Sequence, residues 1–277
     1  VTDFDYRHPN DYVVAIPSYQ RAEQLEKRTL DLLLKGNVDP EAIHVFLHDN
    51  DPTIAQYEDL AQRTGIRLVV TQARGITAQR TGIAALWPEG QPIVSMDDDV
   101  TALMAARDAK NLEPVGDLHK LFVRMFEETR DRRLWVWGFA PVPNAFFLKP
   151  DKISEGLKFL IFTCYGFYSR PGHPVHTHTV PYKDENELSL RAWWYDGAAV
   201  RHDGVAAKAN FYTLAGGCQA AGRNHDQIEA SVRSLLAQWP GLVRINNNRK
   251  SEHTEIVLAR RGRTAGHPVD SLPPGVQ

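Results

Sequence analysis

The chain is short of the features that would place it in several common classes. It has only two cysteines, Cys164 and Cys218, far apart in 277 residues. Two distant cysteines do not make a disulfide framework, so a reducing, cytoplasmic setting is expected. No apolar run approaches the roughly 20 residues that cross a bilayer. The opening residues 1–7 lack the charged and then apolar pattern of a secretory signal. An excess of one charge is missing too. The formal net charge is −2, so no global basic field draws the chain to nucleic acid, although a local patch could still do so. No glycine-rich loop follows the first apolar run, which argues against a pyrophosphorylase-like nucleotidyltransferase. What is present is ordinary globular usage, 43% hydrophobic and 24% charged, on a chain long enough to bury a sizeable core.

Apolar runs and helical stretches alternate through the first hundred residues. Residues 12–17, 43–47, 66–70 and 93–96 read as buried strands. Residues 22–35, 53–64 and 75–87 read as helices between them, with Gly36 and Gly65 as stops. This pattern predicts an α/β fold with a doubly wound, mostly parallel sheet. The second half is less regular. Helices are expected at 118–132, 185–193 and 223–238, and strands at 134–139, 159–167 and 255–259. No repeat or linker divides the chain. One domain over 1–262 is expected, with a ligand-binding half at 12–100, an irregular acceptor half at 101–262, and a mobile tail at 263–277.

The chemistry concentrates where strands end. The run 93–100, IVSMDDDV, stops an apolar strand at three adjacent carboxylates, Asp97, Asp98 and Asp99. Three anions side by side repel one another, which makes a bound cation the natural reading. In an extended chain Asp97 and Asp99 share a face. Such an oxygen-rich site suits Mn²⁺ or Mg²⁺, which bind one or two carboxylates and complete their shell with substrate phosphates. A solvated acidic turn would leave the apolar strand before it unexplained. Two other strands also end in polar residues, at Ser18–Arg21 and at His48–Asp51. In sheets of this kind ligands sit at the carboxyl ends of the strands, so several loops would assemble one site.

The order of these segments resembles the GT-A fold of nucleotide-sugar glycosyltransferases, with its strand-end DxD motif. The likeness runs over roughly residues 12–203: IPSYQR at 16–21, DND at 49–51, GITAQR at 75–80, DDD at 97–99, DENELSLR at 184–191 and VRH at 200–202. More narrowly, residues 16–21, 48–52, 75–80 and 95–99 resemble the TET-associated glycosyltransferases of phage DNA hypermodification. That resemblance implies a UDP-sugar donor, Mn²⁺ (or Mg²⁺), and an acceptor of 5-hydroxymethylcytosine in DNA. It places the work in the cytoplasm, for a phage in that of the infected host. Two other readings stay open: a GT-A enzyme acting on protein or glycan hydroxyls, and a nucleotide-sugar binding module without turnover.

The same resemblance assigns roles. Pro17, Ser18, Tyr19 and Arg21 would form a nucleotide loop, with Tyr19 on the base and Arg21 on a phosphate; otherwise Ser18 is a helix cap. Asp49 would accept from the uracil or ribose, with Asn50 and Asp51 as turn formers. Arg80 would offset diphosphate charge, or be a solvated helix arginine. Asp97 and Asp99 would hold the metal. Asp98 stands as a nucleotide contact and could replace either. Asp184 or Glu185 would be the base that takes the acceptor proton if the enzyme inverts, although acids also favour a helix start. His202 would complete the metal shell. The cluster His173, His176 and His178 reads as an acceptor-side loop, since no fourth zinc ligand accompanies it. If DNA is the acceptor, the late basic residues Arg244, Arg249, Lys250, Arg260, Arg261 and Arg263 would meet phosphates, with Trp193 and Trp194 as stacking groups.

Overall fold

Strands buried on both faces should read as unbroken apolar runs, and the central strands do so. In the computed structural model, which describes residues 6–209, 225–248 and 253–276, every residue of β4 is buried. The first half is wholly parallel: β1 (Val13–Pro17), β2 (Ile43–His48), β3 (Arg67–Thr71) and β4 (Pro92–Met96). Between them run α1 (Ala22–Leu25) and α2 (Asp31–Lys35), then α3 (Ile54–Thr64) and α4 (Ile76–Leu86). A π-turn, Glu26–Leu30, joins α1 to α2. Gly65, at φ +81°, closes α3 in the left-handed conformation that favours glycine.

The second half adds β5 (Val100–Ala106), β6 (Leu112–Pro114), α5 (Leu118–Asp131), β7 (Val136–Ala140), β8 (Ile153–Gly156), β9 (Cys164–Tyr168), α6 (Asp184–Asp196) and β10 (Ala199–Ala209). α7 (His225–Gln238) and a two-stranded ribbon, β11 (Val243–Ile245) and β12 (Ile256–Leu258), follow. Strand order is β3-β2-β1-β4-β9-β7-β10-β5-β6, with β8 also on β10. β1 to β4, β6, β7 and β10 point one way, while β5, β8 and β9 run against them. The α/β, mostly parallel fold expected from the sequence is therefore the one observed.

Two features position the site. The chain leaves β3 at one edge and returns to β4 on the far side of β1. That reversal opens a crevice between the carboxyl ends of β1 and β4. β10 also changes one partner: residues 199–202 pair with β8 and residues 205–209 with β5, while β7 pairs at 200–202 and, after a register shift, again at Ala206. β5 begins directly after Asp99, so the aspartates lie where the main sheet hands over to this extension.

The main core joins α5 to the sheet. Its stripe of Leu118, Leu121, Phe122, Met125 and Phe126 recurs at helical spacing and is buried. A second cluster holds the C-terminal elements together: Leu235, Trp239, Leu242, Val243 and Ile256 pack against Leu157, Val180 and Leu190. The tail expected to trail free is held in place. Thr264 N–H bonds to Gly197 O, His267 N–H to Trp194 O, and Gly275 N–H to Gln238 O. The His267 ring stacks on Trp194 at 3.6 Å, and Trp193 donates to Gly262 O at 2.7 Å. Two large amphipathic rings at the end of α6 needed cover, and the tail supplies it.

Gly166 on β9 stands opposite Trp137 on β7. A Cβ at Gly166 would lie 2.3 Å from the indole ring, and Trp137 is fully buried. Gly166→Ala should therefore lower stability by roughly 1–3 kcal/mol through overpacking. A urea midpoint unchanged from the parent would show that the sheet absorbs the methyl group.

Candidate active site

β1 ends in the crevice at Ser18, which is buried. Its Oγ donates to Asp98 Oδ2 at 2.7 Å. Having spent its one proton there, Ser18 must accept from the Tyr57 hydroxyl at 2.8 Å. Tyr57, fully buried on α3, in turn accepts from Arg21 N–H at 2.9 Å. Arg21 Nη1 reaches Asp98 Oδ1 at 3.2 Å. Asp98 is thus held by the β1 loop from two sides. Burial still pushes its carboxyl pKa upward against those partners. Asp51, also buried, accepts from Gln20 N–H and from Thr53 N–H and Oγ–H, so it ties the β2 loop to the β1 loop. The turn-forming role expected of Asp51 is the observed one.

The aspartates are not extended. Asp98 and Asp99 occupy a turn, so the alternation that would put Asp97 and Asp99 on one face does not apply. Thr29, fully buried inside the π-turn, fixes this turn from below. Its hydroxyl donates to Asp97 O at 2.7 Å and accepts from Val100 N–H at 2.9 Å. π-turns are rare in helices and cluster at functional sites. Here the turn brings one hydroxyl under both ends of the acidic segment. Neither Tyr57 nor Thr29 stands out in sequence, because each reads as a helix residue with no motif around it.

Arg80 on α4 is the hub of the site. It is buried, and its guanidinium lies 4.3 Å from the centre of the Phe162 ring. Nη2 bonds to Asp97 Oδ1 at 2.8 Å, and Nη1 reaches Asp184 Oδ2 at 3.3 Å. Burial works against its charge, but Asp97 and Asp184 outweigh burial and keep it firmly protonated. Asp97 is pushed up to about 6, by burial first and then by Asp99 and Asp98, with Arg80 opposing. Asp99 is also raised, by burial and by Asp98. One arginine on each side does not neutralise three carboxylates.

Asp184 and Glu185 open α6. Lys183 precedes them in the left-handed conformation at φ 62°, and the helix dipole favours their charge. Asp184 is engaged by Arg80 and, at 3.4 Å, by the Thr77 hydroxyl. Glu185 is pushed up to about 7 by burial and by the neighbouring Asp184. Both stand across one guanidinium from Asp97.

Other candidates lie elsewhere. Tyr19 is half-buried and Pro17 closes β1. The Asp49 carboxylate is 45% exposed at the end of β2, 3.0 Å from His48 Nδ1. His202 sits on the first half of β10, separated from β4 by β9 and β7, and accepts from Gly204 N–H at 3.1 Å. Its charged neighbours are Arg124, Asp151, Asp203 and Glu128. The structure does not bring it to the aspartates. Among the described residues, no three His, Cys, Asp or Glu side chains gather as a metal cage. His173 caps a short turn, His176 packs on Phe167 and His178 on Phe162. Trp193 and Trp194 serve the docked tail, and Arg124, Arg130 and Arg132 pair with acids. Arg249 and Lys250 lie outside the described residues.

No protein-family model matches the chain, and no curated protein does. Solved structures of similar outline exist. One is a mannosyltransferase from Pyrobaculum calidifontis in complex with GDP-Man and Mn²⁺, 15% identical over 60% of this chain and 48% of that one, TM-score 0.39. Another is S. aureus TarS, 12% identical over 82% of this chain and 40% of that one, TM-score 0.49. A third is S. aureus TarS 1-349 in complex with UDP, 13% identical over 82% and 65%, TM-score 0.47. The chain thus spans 40 to 65% of the length of these proteins.

The raised Asp97 carboxyl carries a sign. Between the ordinary carboxylate range and about pH 6 the folded protein binds the extra proton, so stability falls as pH rises through that window. Without divalent ions, Asp97→Asn should raise stability above pH 6 by about 2 kcal/mol and give no gain below about pH 4. Urea unfolding at both pH values measures this. A gain persisting at pH 4 would place its source elsewhere than in the charge.

Proposed function

We propose that the chain is a metal-dependent glycosyltransferase that moves a hexose or N-acetylhexosamine from a UDP-sugar to a hydroxyl, and that this hydroxyl belongs to 5-hydroxymethylcytosine in DNA. One observation carries the enzyme class: the Asp97–Asp99 turn at the sheet's switch point is joined through a single guanidinium to a carboxylate pair at a helix start. A donor diphosphate and an acceptor base need that adjacency. The acceptor rests on the motif resemblance at residues 16–21, 48–52, 75–80 and 95–99.

The residues fit a hard divalent ion. Asp97 and Asp99 present oxygen donors, are raised by burial and by neighbouring anions, and are short of positive charge. Two carboxylates plus substrate phosphates are a usual set for Mn²⁺ or Mg²⁺, so a protein cage of three is not required. When bound, such an ion offsets the charge that develops on the leaving diphosphate. Asp98, held by Ser18 and Arg21, fixes the turn rather than spending its oxygens on the ion. Arg80 keeps Asp97 and Asp184 at a set separation. Asp184 is occupied by that contact, which leaves Glu185 to take the acceptor proton. Its carboxyl, near 7, is matched to accepting a proton at neutral pH. Tyr19 and Asp49 line the base side of the crevice in this reading.

Donor turnover tests the reading: UDP release from UDP-glucose, UDP-N-acetylglucosamine and UDP-galactose, with and without Mn²⁺ and hydroxymethylated DNA. Release should need Mn²⁺, rise with the modified DNA and vanish in Asp99→Ala. Release that needs the metal but ignores the DNA would move the acceptor to glycan or protein hydroxyls. No release and no metal-dependent nucleotide binding would sink the enzyme class. A second prediction concerns the base. kcat/KM should climb through about pH 7 as Glu185 loses its proton. Glu185→Gln should cost on the order of 100-fold or more in kcat. A pH profile unchanged in that variant would assign the base elsewhere.

A further inference from the structure

The C-terminal ribbon bears a groove of about 830 Å³, lined by Arg244 and Ile245 on β11, by Asn246, Asn247 and Asn248 beyond it, and by Arg260 after β12. Two guanidiniums and three carboxamides face it, and among the described residues no carboxylate lines it. That is unusual on a chain whose acids outnumber its lysines and arginines, 34 to 32. Arg244 and Arg260 are exposed, and Ile245 adds a 47% exposed apolar side chain. The ribbon is a firm platform, because Val243 and Ile256 are anchored in the second core beside Trp239 and Leu235.

The groove is also wired to the candidate base. Asn246 N–H bonds to Glu255 O at 2.8 Å. The Glu255 carboxylate meets Lys183 Nζ at 3.0 Å. Lys183 is the residue immediately before Asp184 and Glu185. One end of the groove, at Asn246, is therefore linked through Glu255 to Lys183 at the start of α6, where an acceptor hydroxyl would be deprotonated.

We propose that this groove holds the phosphodiester backbone of a nucleic-acid acceptor and leads the strand toward the start of α6. Guanidinium forks match phosphate oxygens, and neutral amides add donors without charge. An exposed aliphatic side chain beside them can cover a sugar or a base face. An acidic peptide would find the cations but no use for a row of amides. The proposal rests on the acceptor side assigned above, and binding can be measured apart from turnover.

The test is anisotropy of a fluorescein-labelled DNA oligonucleotide titrated with the full chain across a salt series. The variant Arg244→Gln/Arg260→Gln should bind at least tenfold more weakly. Its log K against log salt should be shallower by about two phosphate contacts, ~0.7–0.9 each. A control pair on another surface, Arg67→Gln/Arg107→Gln, should bind like wild type. Both variants are checked by thermal unfolding, and Arg244→Lys/Arg260→Lys should restore most of the binding by keeping the charge. Equal binding by the groove variant, equal loss in the control pair, or polyglutamate competing as well as DNA would each overturn the proposal. Wild-type UDP release without DNA is read separately. Absent release with groove-dependent DNA binding would sink the transferase and leave the groove standing; release without DNA binding would do the reverse.

Discussion

Everything at this site depends on how negative charge is held together. Five carboxylates, Asp97, Asp98, Asp99, Asp184 and Glu185, converge from a strand end and a helix start. Arg80 is the cation that spans the two groups. Its position is over-determined: a ring beneath the guanidinium, a carboxylate on each terminal nitrogen, and a helix that begins at Gly75 in a conformation favouring glycine. An arginine suits this place better than a lysine would, because its fork addresses two partners at once and it stays charged when buried. Burial first, and then the neighbouring anions, keep Asp97 and Asp99 above the usual carboxylate range.

The surrounding scaffold reads as a set of restraints on that acidic turn. Ser18 and Arg21 grip Asp98, Tyr57 braces both of them from α3, and Thr29 pins the backbone on either side. The β1–β2 connection therefore sends Ser18, Arg21 and Thr29 to the acidic turn directly, and α3 reinforces two of them through Tyr57. Such restraint matters because a loop carrying repelling charges would otherwise spread.

Much of this was legible in the sequence, and the parts that were not share a cause. The first four strands were plain because each is an apolar run bounded by helices of clear period; β1, β2 and β4 are largely buried, whereas β3, at the sheet edge, is not, with Val70 52% exposed. Asp97–Asp99 were singled out by residue type and strand-end position, Arg80 and the Asp184–Glu185 pair by the resemblance, and Arg80 bonds both Asp97 and Asp184. β8 and β10 were hidden because charged residues interrupt them. Arg201, His202 and Asp203 break the apolar run of β10, yet Ser154 and Arg201 satisfy Asp203 inside the sheet. His202 was assigned to the metal shell by the resemblance alone, and the structure sets it two strands away from β4 because β9 and β7 lie between. Tyr57 and Thr29 act through single hydroxyls reaching across 39 and 68 to 71 residues of sequence, a separation that local patterns do not register.

The docked tail has a practical consequence for anyone reshaping this chain. Residues beyond Gly262 look dispensable in sequence, and Gly262 is the natural place to trim. Yet Thr264 and His267 fasten the far end of α6, the helix whose near end carries Asp184 and Glu185, and Gly275 fastens the end of α7. Trimming there would bare the indole of Trp194 and free the Gly197 carbonyl, loosening the far end of that helix.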